Sequence, residues 1–364
     1  MIHIFIGTKA QLIKMAPVIQ ELNRRAIRYN LIDGGQHAAV VSELIGQFDL
    51  RRPDISLGKE ETNIDSITKA LNWAGTHISS ALLDAGGVCE KVFRGQNGIC
   101  LIHGDTLTTL LSLLMAKRCG LKVAHVEAGL RSYHLFDPFP EEIIRLIAMR
   151  YSDLLFAPSD WAFDNLSRMN YGPKSVHAGG NTIIDTLRYA RTKTGTGRPL
   201  PGPYAVVTIH RVETLFSRAR MERVASLVER MARDRRVLFV LHEPTRQRLI
   251  RYGILERLKN VPGVEMRELQ PYMAFVNLLA GADLIVTDGG SIQEESHYLN
   301  VPCLIMRAKT ERMEGLGDNA YLAGFNEERI DRFFEMLPDL RRKNPDVQDV
   351  HPSGIIVDHV AAYA

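Results

Sequence analysis

Acidic side chains recur at short intervals through the first half of this chain: Asp105 in His103-Gly104-Asp105-Thr106, Glu127 in His125-Val126-Glu127, and Glu141-Glu142 after Pro138-Phe139-Pro140. Carboxyl groups crowded at one place push each other's proton affinities apart, which general acid and base work at a single carbon requires. Taken alone, Asp105 reads as a helix N-cap or as a base. Its neighbours favour the second, because Glu127 and Arg131 follow the next apolar run at the corresponding place. Glu142 reads as an ordinary first-turn acid favoured by the helix dipole. Glu141 has Arg145 four residues on, a spacing that would hold its carboxylate ionised and oriented.

Other groups suit an anionic ligand. Gly7–Pro17 carries Lys9 and Lys14 where a strand turns into a helix, and reads equally as a plain turn or as a pyrophosphate site. His210-Arg211 closes an apolar run, as a structural hydrogen bonder or as a functional base. In Thr287-Asp288-Gly289-Gly290-Ser291, the bare amides of Gly289 and Gly290 and the Ser291 hydroxyl can cradle a diphosphate, with Glu294 or Glu295 one turn on for a ribose diol. Gly315-Leu316-Gly317 only mimics a dinucleotide fingerprint, since no strand leads directly through it into a helix. His103 and Asp105 lack a second ligand pair, so no metal is expected, and no other cofactor.

The elements that must position these groups are short β-branched runs followed by helical stretches: Ile2–Ile6, Ile99–Ile102, Val123–Val126, Leu154–Ala157, Ala205–Ile209, Val237–Leu241, Leu284–Thr287 and Cys303–Met306. This is the rhythm of an α/β fold with parallel sheets, and the polar residues gather at the ends of the runs, where such sheets bind ligands. A Gly-, Pro- and Thr-rich stretch predicts a linker at 191–203 between domains 1–190 and 204–345, with 346–364 as a final helix. Two Rossmann-like domains so joined predict a cleft into which both present their loop edges.

The length of 364 residues suits two domains, and 45% hydrophobic with 24% charged residues is globular. A net charge of +3 is too small for a broad nucleic-acid face. Met1–Phe5 enters a strand without a basic leader, and the apolar run Leu107–Met115 is too short and too interrupted to span a membrane, so a cytoplasmic location is expected. Cys89, Cys100, Cys119 and Cys303 lack CxxC spacing and read as reduced, mostly buried thiols.

Taken in order, GTKAQLIKMAP, GQH at 35–37, HGDT, HVEAGLR, PFPEEIIR, GGNTIID, TIHRVET, TDGGSIQEE and MRAKTER span most of the chain, which resembles the UDP-N-acetylglucosamine 2-epimerase family. The resemblance implies two domains of the glycosyltransferase B type, a UDP-sugar between them, a last helix crossing back to the first domain, and a homodimer. It implies catalysis by Asp105, Glu127, Glu141 and His210 with Lys14 and Arg145 assisting. It further implies nucleotide binding by Lys9, Phe275, Gly289, Gly290, Ser291, Glu295 and Arg312. The implied reaction is C2 epimerisation by elimination and re-addition of UDP; the alternatives are a hydrolysing epimerase, an epimerase for a modified UDP-diacetamido sugar, and a glycosyltransferase of the same fold. The chain departs from the family pattern at Lys9 for an arginine, Gln11 for a glutamate, Val212 to Thr214 within HRREN, the glycine order of DSGG, Met313 within TERPE, and His242-Glu243-Pro244, which lacks the asparagine of HxNP.

Overall fold

The computed structural model describes residues 1–364 except 37, 59–66, 136–138, 196, 198, 311 and 341–349. His37, Pro138 and Glu311 of the motifs above, parts of the linker, and 346–349 of the tail therefore lie outside the described residues. The chain divides into one unit of Met1–Thr186 with Val350–Ala364 and a second of Leu187–Asp349. A continuous helix, Ile183–Thr194, carries the chain across that division, so 191–194 are its last turn and not linker.

In the first unit, β1 (Ile2–Ile6), β2 (Tyr29–Asp33), β3 (Ile55–Ser56), β4 (Ile99–His103), β5 (Lys122–Val126), β6 (Leu154–Ala157) and β7 (Ser175–His177) form one sheet in the order β3-β2-β1-β4-β5-β6-β7. Every pairing is parallel. β1, β2 and β4 are buried along their whole length, because helices cover both faces of such a sheet. Phe5, Ile102 and Val123 pack with Val88, Leu111 and Ala148 to make its core.

The second unit repeats the plan. β8 (Tyr204–Thr208), β9 (Arg236–Leu241), β10 (Val264–Glu268), β11 (Leu284–Thr287), β12 (Cys303–Ile305) and β13 (Ala320–Leu322) run in the order β10-β9-β8-β11-β12-β13, again all parallel. In each sheet the strand order reverses once, between β1 and β4 and between β8 and β11. Loops leaving the C-terminal ends of those strands diverge to opposite faces, which opens a crevice there.

The first helix, Lys9–Arg24, begins at Thr8, whose side chain accepts from the Gln11 amide. Pro17 within it removes one backbone donor and frees the Ile13 carbonyl, which accepts from Thr186 Oγ1 at 2.7 Å instead. The last helix, Pro352–Val360, packs on this same helix. Asp185 fastens it by accepting from the Ser353 amide at 2.9 Å and the Ser353 hydroxyl at 2.6 Å.

The cysteine expectation requires correction. Cys89 and Cys119 form a disulfide with Cα atoms 5.4 Å apart, and only Cys100 and Cys303 are free and buried. The sequence spacing of 30 residues gave no sign of it, because the pair meets only when helix Ala85–Phe93 lies beside the end of helix Leu107–Arg118.

Candidate active site

In the first unit the acids converge on the edge where the strand order reverses. Gly7 ends β1 so close to the helix after β4 that a Cβ there would stand 2.3 Å from Thr108 Oγ1. Glu127 follows β5 with φ of 66°, a left-handed conformation uncommon outside glycine, and it turns this carboxylate out of the strand's alternation. Lys14 Nζ stands 2.7 Å from Glu127 Oε1, each side chain 6% exposed. Asn181 Nδ2 donates to the same oxygen at 3.1 Å, and His103 Nε2 lies 3.1 Å from Oε2.

Lys14 is therefore buried and partnered by a carboxylate, and is not the solvated lysine of a plain turn. Lys9 is exposed on the first helical turn and remains available to an anion. Thr106, not Asp105, is the N-cap of helix Leu107–Arg118. Asp105 Oδ2 instead meets Arg145 at 2.5 Å.

Arg145 and Glu142 overturn two further expectations. Arg145 reaches Asp105 and, at 3.6 Å, Glu142, while Glu141 Oε2 is buried and has no hydrogen-bond partner among the described residues. Glu142 is no surface decoration: it is fully buried, with Arg131 Nε at 2.5 Å and the Ser132 amide donating at 2.9 Å. Burial pushes its carboxyl group up, but the Ser132 amide, Arg131 and Arg145 together outweigh that and hold it below the usual range. The helix 141–151 turns its i and i+1 positions about 100° apart, so Glu142 is fully buried where Glu141 is half-buried.

The loop carrying Asp105 is held by neutral groups. His125 Nε2 lies 2.8 Å from the Gly104 carbonyl, and burial lowers this histidine from 6.5 to about 4. It is therefore an uncharged donor at neutral pH, with the proton on Nε2.

In the second unit, Asp288 is fully buried after β11 and accepts from the backbone amides of His210 and Arg211, both at 3.0 Å. This ties the end of β8 to the end of β11. The His210 ring lies over Gly289, where a Cβ would stand 2.5 Å from Cε1, and beside His242 with ring centres 5.0 Å apart. Burial lowers the His210 pKa, against the opposing pull of Asp288.

The phosphate-cradle reading needs one change. The Gly289 amide donates to Thr287 Oγ1 at 3.0 Å, so it is already used. Gly290 opens helix Gly290–Tyr298, and Ser291 is exposed beside it. Of the two glutamates offered for a ribose, Glu294 meets Arg312 NH1 at 3.0 Å. Glu295 Oε1 accepts from Tyr272 OH at 2.9 Å. Phe275, half-buried, lies on the same helix as Tyr272.

The sequence does not single out Asn181 or Tyr272, and it does not reveal the buried partners of His103, Glu142 and Asp288. Asp288 carried a signal, since it directly follows an apolar strand; Tyr272 carried none, because its partner lies 23 residues away.

The family model described as UDP-N-acetylglucosamine 2-epimerase matches residues 20–353. A UDP-N-acetylglucosamine 2-epimerase of Methanococcus maripaludis is 31% identical over 375 residues, covering 99% of this chain and 98% of that one. Among solved structures, the UDP-GlcNAc 2-epimerase from Neisseria meningitidis bound to UDP-GlcNAc is 28% identical with a TM-score of 0.82, covering 99% of each chain. The enzyme from Methanocaldococcus jannaschii in complex with UDP-GlcNAc and UDP is 27% identical with a TM-score of 0.81, again over 99% of each. A glycosyltransferase from Rickettsia africae, 15% identical with a TM-score of 0.52 over 98% of this chain and 93% of its own, bears on the fold alone.

Proposed function

The chain belongs to the UDP-N-acetylglucosamine 2-epimerase family, and from that premise we propose that it interconverts UDP-N-acetylglucosamine and UDP-N-acetylmannosamine without releasing free sugar. The family match across residues 20–353 carries this reading. The carboxylate and cation pairs of the first unit supply chemistry that fits it.

C2 of the sugar has no carbonyl beside it, so a carboxylate cannot remove its proton unaided. Breaking the C1–O bond in the same event solves this. A carboxylate takes the C2 proton, the C–H electron pair becomes the C1–C2 double bond, and the C1–O pair departs with UDP. In the return step a UDP oxygen adds to C1 while a carboxylic acid delivers a proton to the other face of C2. Atoms and charge balance, and C2 alone is inverted.

We assign the proton transfers to Asp105, Glu127 and Glu141, with Lys14, Arg145 and His210 assisting. Lys9, Phe275, Gly289, Gly290, Ser291, Glu295 and Arg312 are assigned to the nucleotide, Gly289 by its close backbone and not its amide. Fixed cations near developing negative charge need no reorganisation as UDP leaves. No cofactor enters this chemistry. The reading carries with it a homodimer and a cytoplasmic location; no helix among the described residues is long and apolar enough to cross a membrane.

The test is incubation with UDP-N-acetylglucosamine and chromatographic separation of the products. UDP-N-acetylmannosamine with no free sugar is expected. Free N-acetylmannosamine plus UDP would replace the reading by the hydrolysing one, since water would then have added to C1 in place of UDP. Absence of any turnover, with UDP still bound, would move the assignment to a modified UDP-sugar.

A further inference from the structure

Gln11 is one of the places where this chain departs from the family pattern, and its side chain is 2% exposed. Its Oε1 accepts from the amides of Gly7 at 2.9 Å and Thr8 at 3.2 Å. Its Nε2 donates to the His103 carbonyl at 2.8 Å and to Thr106 Oγ1 at 3.0 Å, with Thr109 Oγ1 at 3.3 Å. One buried amide thus joins the loop after β1 to the loop after β4, the two strands between which the sheet order reverses.

The two residues it grips on the far side, His103 and Thr106, bracket Gly104 and Asp105. On the opposite flank the same loop is held by His125 on the Gly104 carbonyl and by the Gly104 amide on Val126 O at 3.1 Å. Asp105 is therefore suspended between one clamp on the β1 side and one on the β5 side. Placement of a reacting group within about 1 Å can matter by about 100-fold in rate.

We propose that Gln11 is a positioning residue that sets Asp105 for proton transfer in this chain, its amide accepting on one end and donating on the other. A glutamate would turn a carboxylate oxygen towards the lone pairs of the His103 carbonyl, and would keep that bond only while it carried a proton. The inference rests on the assignment of Asp105 made above.

Two variants test it. Gln11→Met removes both ends of the clamp, and is expected to lower kcat about 100-fold while leaving UDP affinity unchanged. Gln11→Glu keeps the acceptor, and its kcat relative to the unaltered protein is expected to rise as pH falls from 8 to 6. The titratable and charged groups bearing on an introduced carboxyl are Lys14 on its own helix, His103 at the end of β4, Asp105 on the loop after it, His125 in β5, Glu127 after it, and Arg145. Lys14 and Arg145 favour its ionised form; burial, Asp105 and Glu127 oppose it.

Amide hydrogen exchange of the peptide 103–109 gives a readout independent of turnover. Exchange faster by about tenfold in Gln11→Met is expected from the loss of two hydrogen bonds to the loop. If Gln11→Glu follows the unaltered protein at every pH, or exchange is unchanged in Gln11→Met, the inference is overturned. Were the unaltered protein inactive on the substrate, the proposed function would fall, and the exchange result would still decide the clamp. Should Gln11→Met fail to fold, Gln11→Glu at pH 6 and pH 8 decides alone.

Discussion

Glu142 shows how adjacent residues of one type divide between roles. Its carboxylate is fully buried and shared among Arg131, the Ser132 amide and Arg145, while Arg145 turns its other edge to Asp105. Removing such a buried partner leaves charges stranded, which costs about 3–5 kcal/mol. Glu142→Ala is accordingly expected to lower the unfolding free energy by an amount of that size, seen as a lower urea midpoint, and to reduce turnover by releasing Arg145. An unchanged midpoint would show that Arg131 and Arg145 find solvent instead. Asp105, Glu127 and His210 stand out in the sequence because each ends an apolar run. What a run does not reveal is the partner: i,i+4 spacing points Arg145 at Glu141, whereas the folded chain gives Asp105, 40 residues earlier, the stronger claim.

At the scale of elements, the strands legible in the sequence are the buried, β-branched ones, whereas β2, β3, β7, β10 and β13 lack a run of β-branched residues. β3 has two residues, β7 is half-buried, and β10 reads Val264-Glu265-Met266-Arg267-Glu268 on a sheet edge with its charges in pairs. β2 was missed because Asn30 and Asp33 break an otherwise apolar run; both are buried, and Asn30 donates to the Val92 carbonyl at 2.9 Å. The disulfide between Cys89 and Cys119 is likewise a matter of elements, closing a 30-residue separation. By loop entropy it stabilises the first unit by about 3–4 kcal/mol. Cys89→Ser is expected to lose that much in urea unfolding under non-reducing conditions, and equal midpoints would contradict a closed bridge.

At the scale of the whole molecule, two parallel sheets each reverse their strand order once, and the polar residues collect at those two points because ligand crevices open there. The fold class is legible in the alternation of short apolar strands and helical stretches along the chain. The same organisation carries a pH dependence. His3 and His125 are buried and neutral, each lowered by burial from 6.5 to about 4. Between those values the unfolded chain binds protons that the folded chain refuses, so stability is full above pH 6.5 and declines as pH falls towards 4. Each histidine contributes a slope of about 1.4 kcal/mol per pH unit in that window. Urea midpoints measured at pH 7.5 and 5.5 check the sign; a midpoint that rises on acidification would contradict it.

The central claim is that a carboxylate of the Asp105, Glu127 and Glu141 group moves the C2 proton, and proton NMR in heavy water with UDP-N-acetylglucosamine tests it most directly. The unaltered protein should replace the C2 proton by deuterium as UDP-N-acetylmannosamine appears, and Asp105→Asn, Glu127→Gln and His210→Ala should each halt this while UDP still binds. An epimerised product that keeps its original C2 proton, or near-normal rates in all three variants, would contradict the account.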